Sequence, residues 1–185
     1  TAEDTPLSGT DTATDVDSAV LTFSGSGVTA HGSVVIGTDG SFTYTPDGDY
    51  NGEDSFVFTV SDGQLEDTGT ISINVTAVND APEAVDIADV EWEARSAQNY
   101  LIPAFTDVDS DALTYSAKLD SGDPLPAWLS FDAGTRTFSG TAANSDAGTY
   151  LVRVTAADSE YEDSGTFTLT VIAVDFLIFM PLIHR

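Results

Sequence analysis

Two Asp-Val-Asp triplets recur in this 185-residue chain, Asp15-Val16-Asp17 and Asp107-Val108-Asp109, each preceded by Thr and followed by Ser. Two Asp separated by one residue in extended backbone project to the same side, because alternation sends the intervening Val the other way. Carboxylates held within about 4 Å repel by roughly 1 to 4 kcal/mol, depending on the local dielectric. A hard cation converts that repulsion into binding. Calcium takes about 6–8 oxygen ligands from Asp, Glu, Asn and backbone carbonyls in flexible geometry, whereas magnesium demands a stricter octahedron and suits such loops less well.

Other chemistry is thinly supplied. Thirty-one acids against five Lys and Arg give a net charge of −26, which repels nucleic-acid backbones and anionic membrane surfaces. There is no Cys, so thiol catalysis, disulfides and thiolate metal sites are excluded. His31 and His184 stand alone, without a paired nucleophile or ligand spacing. An EF-hand counted from Asp107 fails, because position six is Ala112 where Gly is needed and position twelve is Lys118 where Glu is needed. Composition leaves a glycosidase pair of carboxylates open, but nothing singles one out, and the chain is read as non-enzymatic. Trp92, between Glu91 and Glu93, is the candidate for an exposed carbohydrate contact, while Trp128 is expected to pack in a core.

The acids belong to a repeat. Leu21-Thr22-Phe23 answers Leu113-Thr114-Tyr115 at the triplets' spacing, and Asp62, Glu66, Asp67, Gly69 and Thr70 return as Asp158, Glu162, Asp163, Gly165 and Thr166. Both copies alternate as half-buried strands do: Phe56, Phe58 and Val60, then Ile71, Ile73 and Val75; later Tyr150, Val152 and Val154, then Phe167, Leu169 and Val171. Asp39-Gly40 marks a hairpin and Pro46-Asp47-Gly48 a turn. The expected fold is all-β: two tandem immunoglobulin-like sandwiches over residues 1–80 and 81–175, followed by an apolar tail over 176–185. The apolar run in that tail is far short of the roughly 20 residues a membrane helix needs. The chain starts at Thr1 and reads as a piece of something longer. Residues 1–80 hold 14 acids and no Lys or Arg, so the first copy cannot neutralise its carboxylates with its own side chains.

These residues resemble a family. The linker Val78-Asn79-Asp80-Ala81-Pro82, the Asp-Val-Asp pairs, and Asp62 and Asp158 after the penultimate strands look like cadherin calcium signatures. The first copy, with Glu3-Asp4-Thr5-Pro6-Leu7 and Tyr50-Asn51-Gly52-Glu53-Asp54, is similar to the cadherin-like tandem repeats of bacterial surface proteins. The second, with Pro126-Ala127-Trp128-Leu129 and Phe138-Ser139-Gly140-Thr141, resembles the dystroglycan-type cadherin-like domain. The resemblance implies calcium clamped at the joint by Glu3, Asp54, Asn79, Asp80, Asp107, Asp109 and Asp158, with Asp15, Asp17 and Asp62 as an upstream half-site. The Asp-Arg-Glu motif of cadherins and the second linker Asn are missing, which implies fewer or weaker ions. The expected role is an extracellular spacer or adhesion module on a bacterial surface, its partners being calcium, other domains of the parent chain and a surface protein or polysaccharide. The alternative is a carbohydrate-binding module.

Overall fold

The computed structural model describes residues 1–18 and 20–174. The apolar tail at 176–185 lies outside them. The chain divides into two compact units, Thr1–Val78 and Asn79–Arg185.

In the first unit six strands follow the alternation of the sequence: β1 (Leu7–Thr10), β2 (Thr22–Gly25), β3 (Gly32–Ile36), β4 (Ser41–Pro46), β5 (Gly52–Ser61) and β6 (Glu66–Val75). They form two antiparallel sheets in the orders β1-β4-β3 and β2-β5-β6. Val34 and Tyr44 from one sheet and Phe56, Ile73 and Val75 from the other make a shared core, with the Phe42 and Phe56 rings edge to face at 5.2 Å. The β3–β4 hairpin turns at Asp39-Gly40. Gly40 takes φ +85° there, a conformation in which a Cβ is costly, and Asp39 accepts the Ser41 N–H and hydroxyl. Ala2 bridges to Thr76 in parallel, beside the end of β6.

The second unit repeats this plan with more apolar burial. Strands β7 (Val90–Glu93), β8 (Gln98–Leu101), β9 (Thr114–Leu119), β10 (Leu129–Asp132), β11 (Thr137–Gly140), β12 (Gly148–Ala157) and β13 (Glu162–Ile172) form sheets in the orders β10-β11-β8 and β7-β13-β12-β9. All pairs are antiparallel except β7 with β13. Ile102, Phe138, Val152, Val154, Phe167 and Leu169 are almost entirely shielded from water. Long β5–β6 and β12–β13 ladders end in tight turns at Asp62 and Asp158, and that placement brings each isolated Asp to the same end of its sheet as a strand start.

Candidate functional site

Asn79 and Asp80 open the second unit, and two loops of that unit hold them. Asp158 sits in the β12–β13 turn, where its Oδ1 accepts the N–H groups of Glu160 at 2.5 Å and Tyr161 at 2.7 Å, an arrangement typical of Asp in turns. Its Oδ2 accepts from the Asn79 amide at 3.1 Å. Asp109, in the β8–β9 loop, accepts the Asp80 N–H on Oδ2 at 2.8 Å. Asp107 accepts the Asp111 N–H on Oδ1, while its Oδ2 is buried without a hydrogen-bond partner. The loop reverses at Ser110, whose φ of 65° lies in the left-handed region and whose N–H returns to the Asp107 carbonyl.

This donor set is all oxygen and mostly anionic. Backbone N–H donation from Tyr161 and Glu160 holds the Asp158 carboxyl below the ordinary Asp range, so it is charged at neutral pH. Asp80, Asp107, Asp109, Asp158 and the Asn79 amide oxygen are donors of the kind a hard cation such as calcium takes and lack the nitrogen or sulfur that zinc prefers, although among the described residues no three of these carboxylates lie within 4.8 Å of one another. Buried polar atoms normally find partners; Asp107 Oδ2 lacks one, as do Asp11 Oδ2 and Arg136 Nη1.

The first unit repeats half of this arrangement. One ligand oxygen from each of Asp15, Asp17 and Asp62 lies within 4.8 Å of the others, beside a cleft of about 330 Å³ that Ser18, Gln64 and Leu65 help to line. Asp62 accepts the N–H groups of Gln64 and Leu65, as Asp158 does those of Glu160 and Tyr161. Asp15 accepts from Asp17 and Ser18. Backbone donors therefore lower the pKa of Asp15 and Asp62. The Asp17 carboxyl is raised by sharing a hydrogen bond with Asp15 and by that neighbour's charge. Asp15 and Asp17 are exposed and Asp62 is half-buried.

The remaining residues of the expected clamp differ among themselves. Glu3 is buried at 2% exposure, and its Oε1 accepts the Val78 N–H at the exit from the first unit. Its N–H joins the Thr76 carbonyl as that of Ala94 joins Ile172 in the second unit, and the next residues, Asp4 and Arg95, both have positive φ. The position equivalent to Glu3 in the second unit is thus Ala94, without a carboxylate.

Asp54 departs from expectation. It is 6% exposed, and its oxygens already accept from the N–H groups of Ala30, His31 and Ser55 and from the Tyr44 hydroxyl. β2 pairs with β5 only from Phe58 onward, so the earlier half of β5 has an uncovered edge. Asp54 secures the 26–31 loop beside that edge, and the Tyr50 hydroxyl caps the Glu53 carbonyl. Asp54 is thus held by donors of its own unit.

Trp92 is not the exposed platform expected. Its partners in β7 alternate, and its own side chain points inward at 2% exposure, edge to face with Trp128 at 6.3 Å. Flanking Glu residues suggested solvent, but in a strand they mark the opposite face. Trp128 packs in the core as expected. Sequence reasoning also passed over Asp163, which accepts from Ala84 and Ser164; its recurrence from Asp67 was the available signal.

A family profile described as "Putative Ig domain" matches residues 77–172, and one for a bacterial cadherin-like domain matches residues 1–77. No curated protein matches. Among solved structures, human protocadherin-24 EC1-2 is similar at 15% identity and TM-score 0.59, covering 90% of this chain and 88% of that one. An endo-fucoidan hydrolase of glycoside hydrolase family 107 is similar at 27% identity and TM-score 0.42 over 84% of this chain. The chain spans 24% of that enzyme's length. Human desmocollin-1 ectodomain is similar at 18% identity and TM-score 0.46, covering 95% of this chain and 39% of that one. The likeness to protocadherin-24 concerns the fold, two β-sandwiches of cadherin and immunoglobulin type. The chain belongs to the "Putative Ig domain" family through residues 77–172, and a bacterial cadherin-like domain precedes that stretch.

Proposed function

We propose that the chain is a calcium-binding spacer or adhesion module of an extracellular surface protein. The buried, unpartnered Asp107 Oδ2 carries the reading, supported by Asp109 and Asp158 holding the backbone and side chain of Asp80 and Asn79. Calcium is bound by Asn79, Asp80, Asp107, Asp109 and Asp158, with Glu3 added by the cadherin resemblance. Because Asn79 and Asp80 follow directly on Val78, an ion that fixes them removes torsional freedom from the connection between the units. Without metal the clustered carboxylates repel by about 1 to 4 kcal/mol per close pair, depending on local dielectric. The second unit is of the dystroglycan-type cadherin-like kind, by its Pro126-Ala127-Trp128-Leu129 and Phe138-Ser139-Gly140-Thr141 motifs. The module's partners are the neighbouring domains of its parent chain and a surface protein or polysaccharide.

Calorimetric titration of EDTA-treated, dialysed chain with calcium tests the reading. Saturable heat that disappears in an Asp107→Asn/Asp109→Asn chain is expected. Undiminished binding in that variant would remove the second-unit site from the proposal.

A further inference from the structure

Just past the last strand of each unit a backbone N–H is held by a side chain, and the two units hold it differently. β12 starts at Gly148 opposite Val171 as β5 starts at Gly52 opposite Val75, which makes Val174 the counterpart of Val78 and Asn144 the counterpart of Gly48. In the first unit Val78 gives its N–H to the Glu3 carboxylate. In the second the Val174 N–H reaches Asn144 Oδ1 at 3.2 Å, and the Asn144 amide donates back to the Val174 carbonyl at 3.0 Å. A side-chain amide carries both an acceptor and a donor, so the pair imitates a rung of β-ladder beyond the end of β13.

Asn144 is placed in advance of this contact. It opens a single 3-10 turn, Asn144–Asp146, where Asp146 Oδ2 accepts the Ala143 N–H at 2.8 Å and the Asp146 carbonyl accepts the Tyr150 hydroxyl at 2.8 Å. Tyr150 in turn stands edge to face with Trp128 at 5.5 Å. Ahead of the turn, the Ala142 carbonyl accepts the Arg95 N–H at 2.7 Å, and Ala142 packs with Ala94 and Val171. These contacts tie the turn to β7 and β12. In the first unit Gly48 has no side chain to offer, and the holding group is a carboxylate, which a hard cation also takes. Asn144 is neutral, and both halves of its amide are occupied.

We infer that Asn144 is a positioning residue that latches the backbone at Val174, and that the latch works without metal. The course of the chain just past β13 is set by the second unit's own hydrogen bonds, in calcium or in its absence. The latch shares no residue with the calcium site proposed above.

Amide hydrogen exchange of the full chain, read at Val174 against the core amides of Val152 and Val154, tests the latch, since local opening exposes an amide that global unfolding does not govern. Val174 of the wild type should exchange equally slowly in EDTA and in calcium. Asn144→Ala should speed Val174 at least tenfold and leave Val152 and Val154 unchanged. Asn144→Asp keeps an acceptor but loses the donor and sets a charge against the Val174 carbonyl, so at neutral pH it should exchange as fast as the Ala variant. At about pH 3, below the ordinary Asp pKa of about 3.9, its protonated carboxyl both donates and accepts, and protection relative to the wild type at the same pH should return. Unchanged exchange at Val174 in Asn144→Ala, or equal acceleration at Val152, overturns the latch. Calcium-dependent protection of wild-type Val174 overturns its independence of metal, and an Asp variant that stays fast in acid overturns the two-sided pairing.

Discussion

Changing Asp54 to Ala separates a structural carboxylate from a metal ligand. The side chain accepts the Ala30 N–H at 3.3 Å, the His31 N–H at 3.1 Å, the Ser55 N–H at 2.7 Å and the Tyr44 hydroxyl at 2.9 Å. Tyr44 is fully buried, so water does not readily replace its acceptor. Hydrogen bonds to a charged group contribute about 1.5–3 kcal/mol each, and a stranded buried donor costs about 1–3 kcal/mol. Ala30, His31 and Ser55 are exposed enough for partial rehydration, which brings the expected loss to about 3–5 kcal/mol. A domain stable by only about 5–15 kcal/mol would lose a large share. Native-state hydrogen exchange at β5 amides, in EDTA, reads the loss directly, because the first unit contains no Trp for fluorescence. Full wild-type protection in EDTA, with destabilisation confined to calcium buffer, would refute the reasoning and return Asp54 to a metal role.

Trp92→Ala should destabilise the second unit by about 3–5 kcal/mol, the usual loss for removing a buried Trp, leaving any retention on polysaccharide unchanged; a melt and a pull-down check both. Gly140→Ala should cost about 1–3 kcal/mol through overpacking, since a Cβ there meets the Trp128 carbonyl oxygen, and urea denaturation followed by Trp fluorescence measures it. Acid should act on the turns. Asp15, Asp62 and Asp158 have pKa values lowered mainly by backbone donors. Asp54 is lowered too, burial opposing its charge but the surrounding donors outweighing it. The stability these groups contribute is present above the unfolded Asp pKa, about 3.9, and is lost as pH falls through their lower folded values. Asp17, raised by Asp15, has the opposite sign: its contribution is present below the unfolded pKa and is lost as pH rises through the folded one. Metal-free melting temperatures measured from pH 2 to 7 should therefore fall most steeply below about pH 4, and Asp17→Asn should raise the pH 7 value.

Strand positions were legible because burial on one face imposes a period of two, and Phe56, Ile73, Val152 and Leu169 all follow it. The same period explains the failure at Trp92: its Glu neighbours report the solvent face of β7 and say nothing of the residue between them. Asp107, Asp109 and Asp158 were legible as repeated positions, because they return from Asp15, Asp17 and Asp62. Asp54 was not, since a carboxylate that takes four donors in a strand has the same letter as one that awaits an ion. Much of the −26 charge is engaged in this way. Asp39, Asp62, Asp132 and Asp158 each accept turn N–H groups, which is a local role independent of metal. Asp107, like Asp11, has one oxygen so engaged and the other buried without a hydrogen-bond partner.

Thermal melting in EDTA and in millimolar calcium, for the wild type and for Asp107→Asn/Asp109→Asn, tests the central claim most directly. A ligand binding only the folded state adds RT ln(1 + [L]/Kd), about 2.7 kcal/mol at a hundredfold excess over Kd. The account predicts a calcium-dependent rise in the wild type that the double substitution abolishes. Equal wild-type melting temperatures in the two buffers would contradict it.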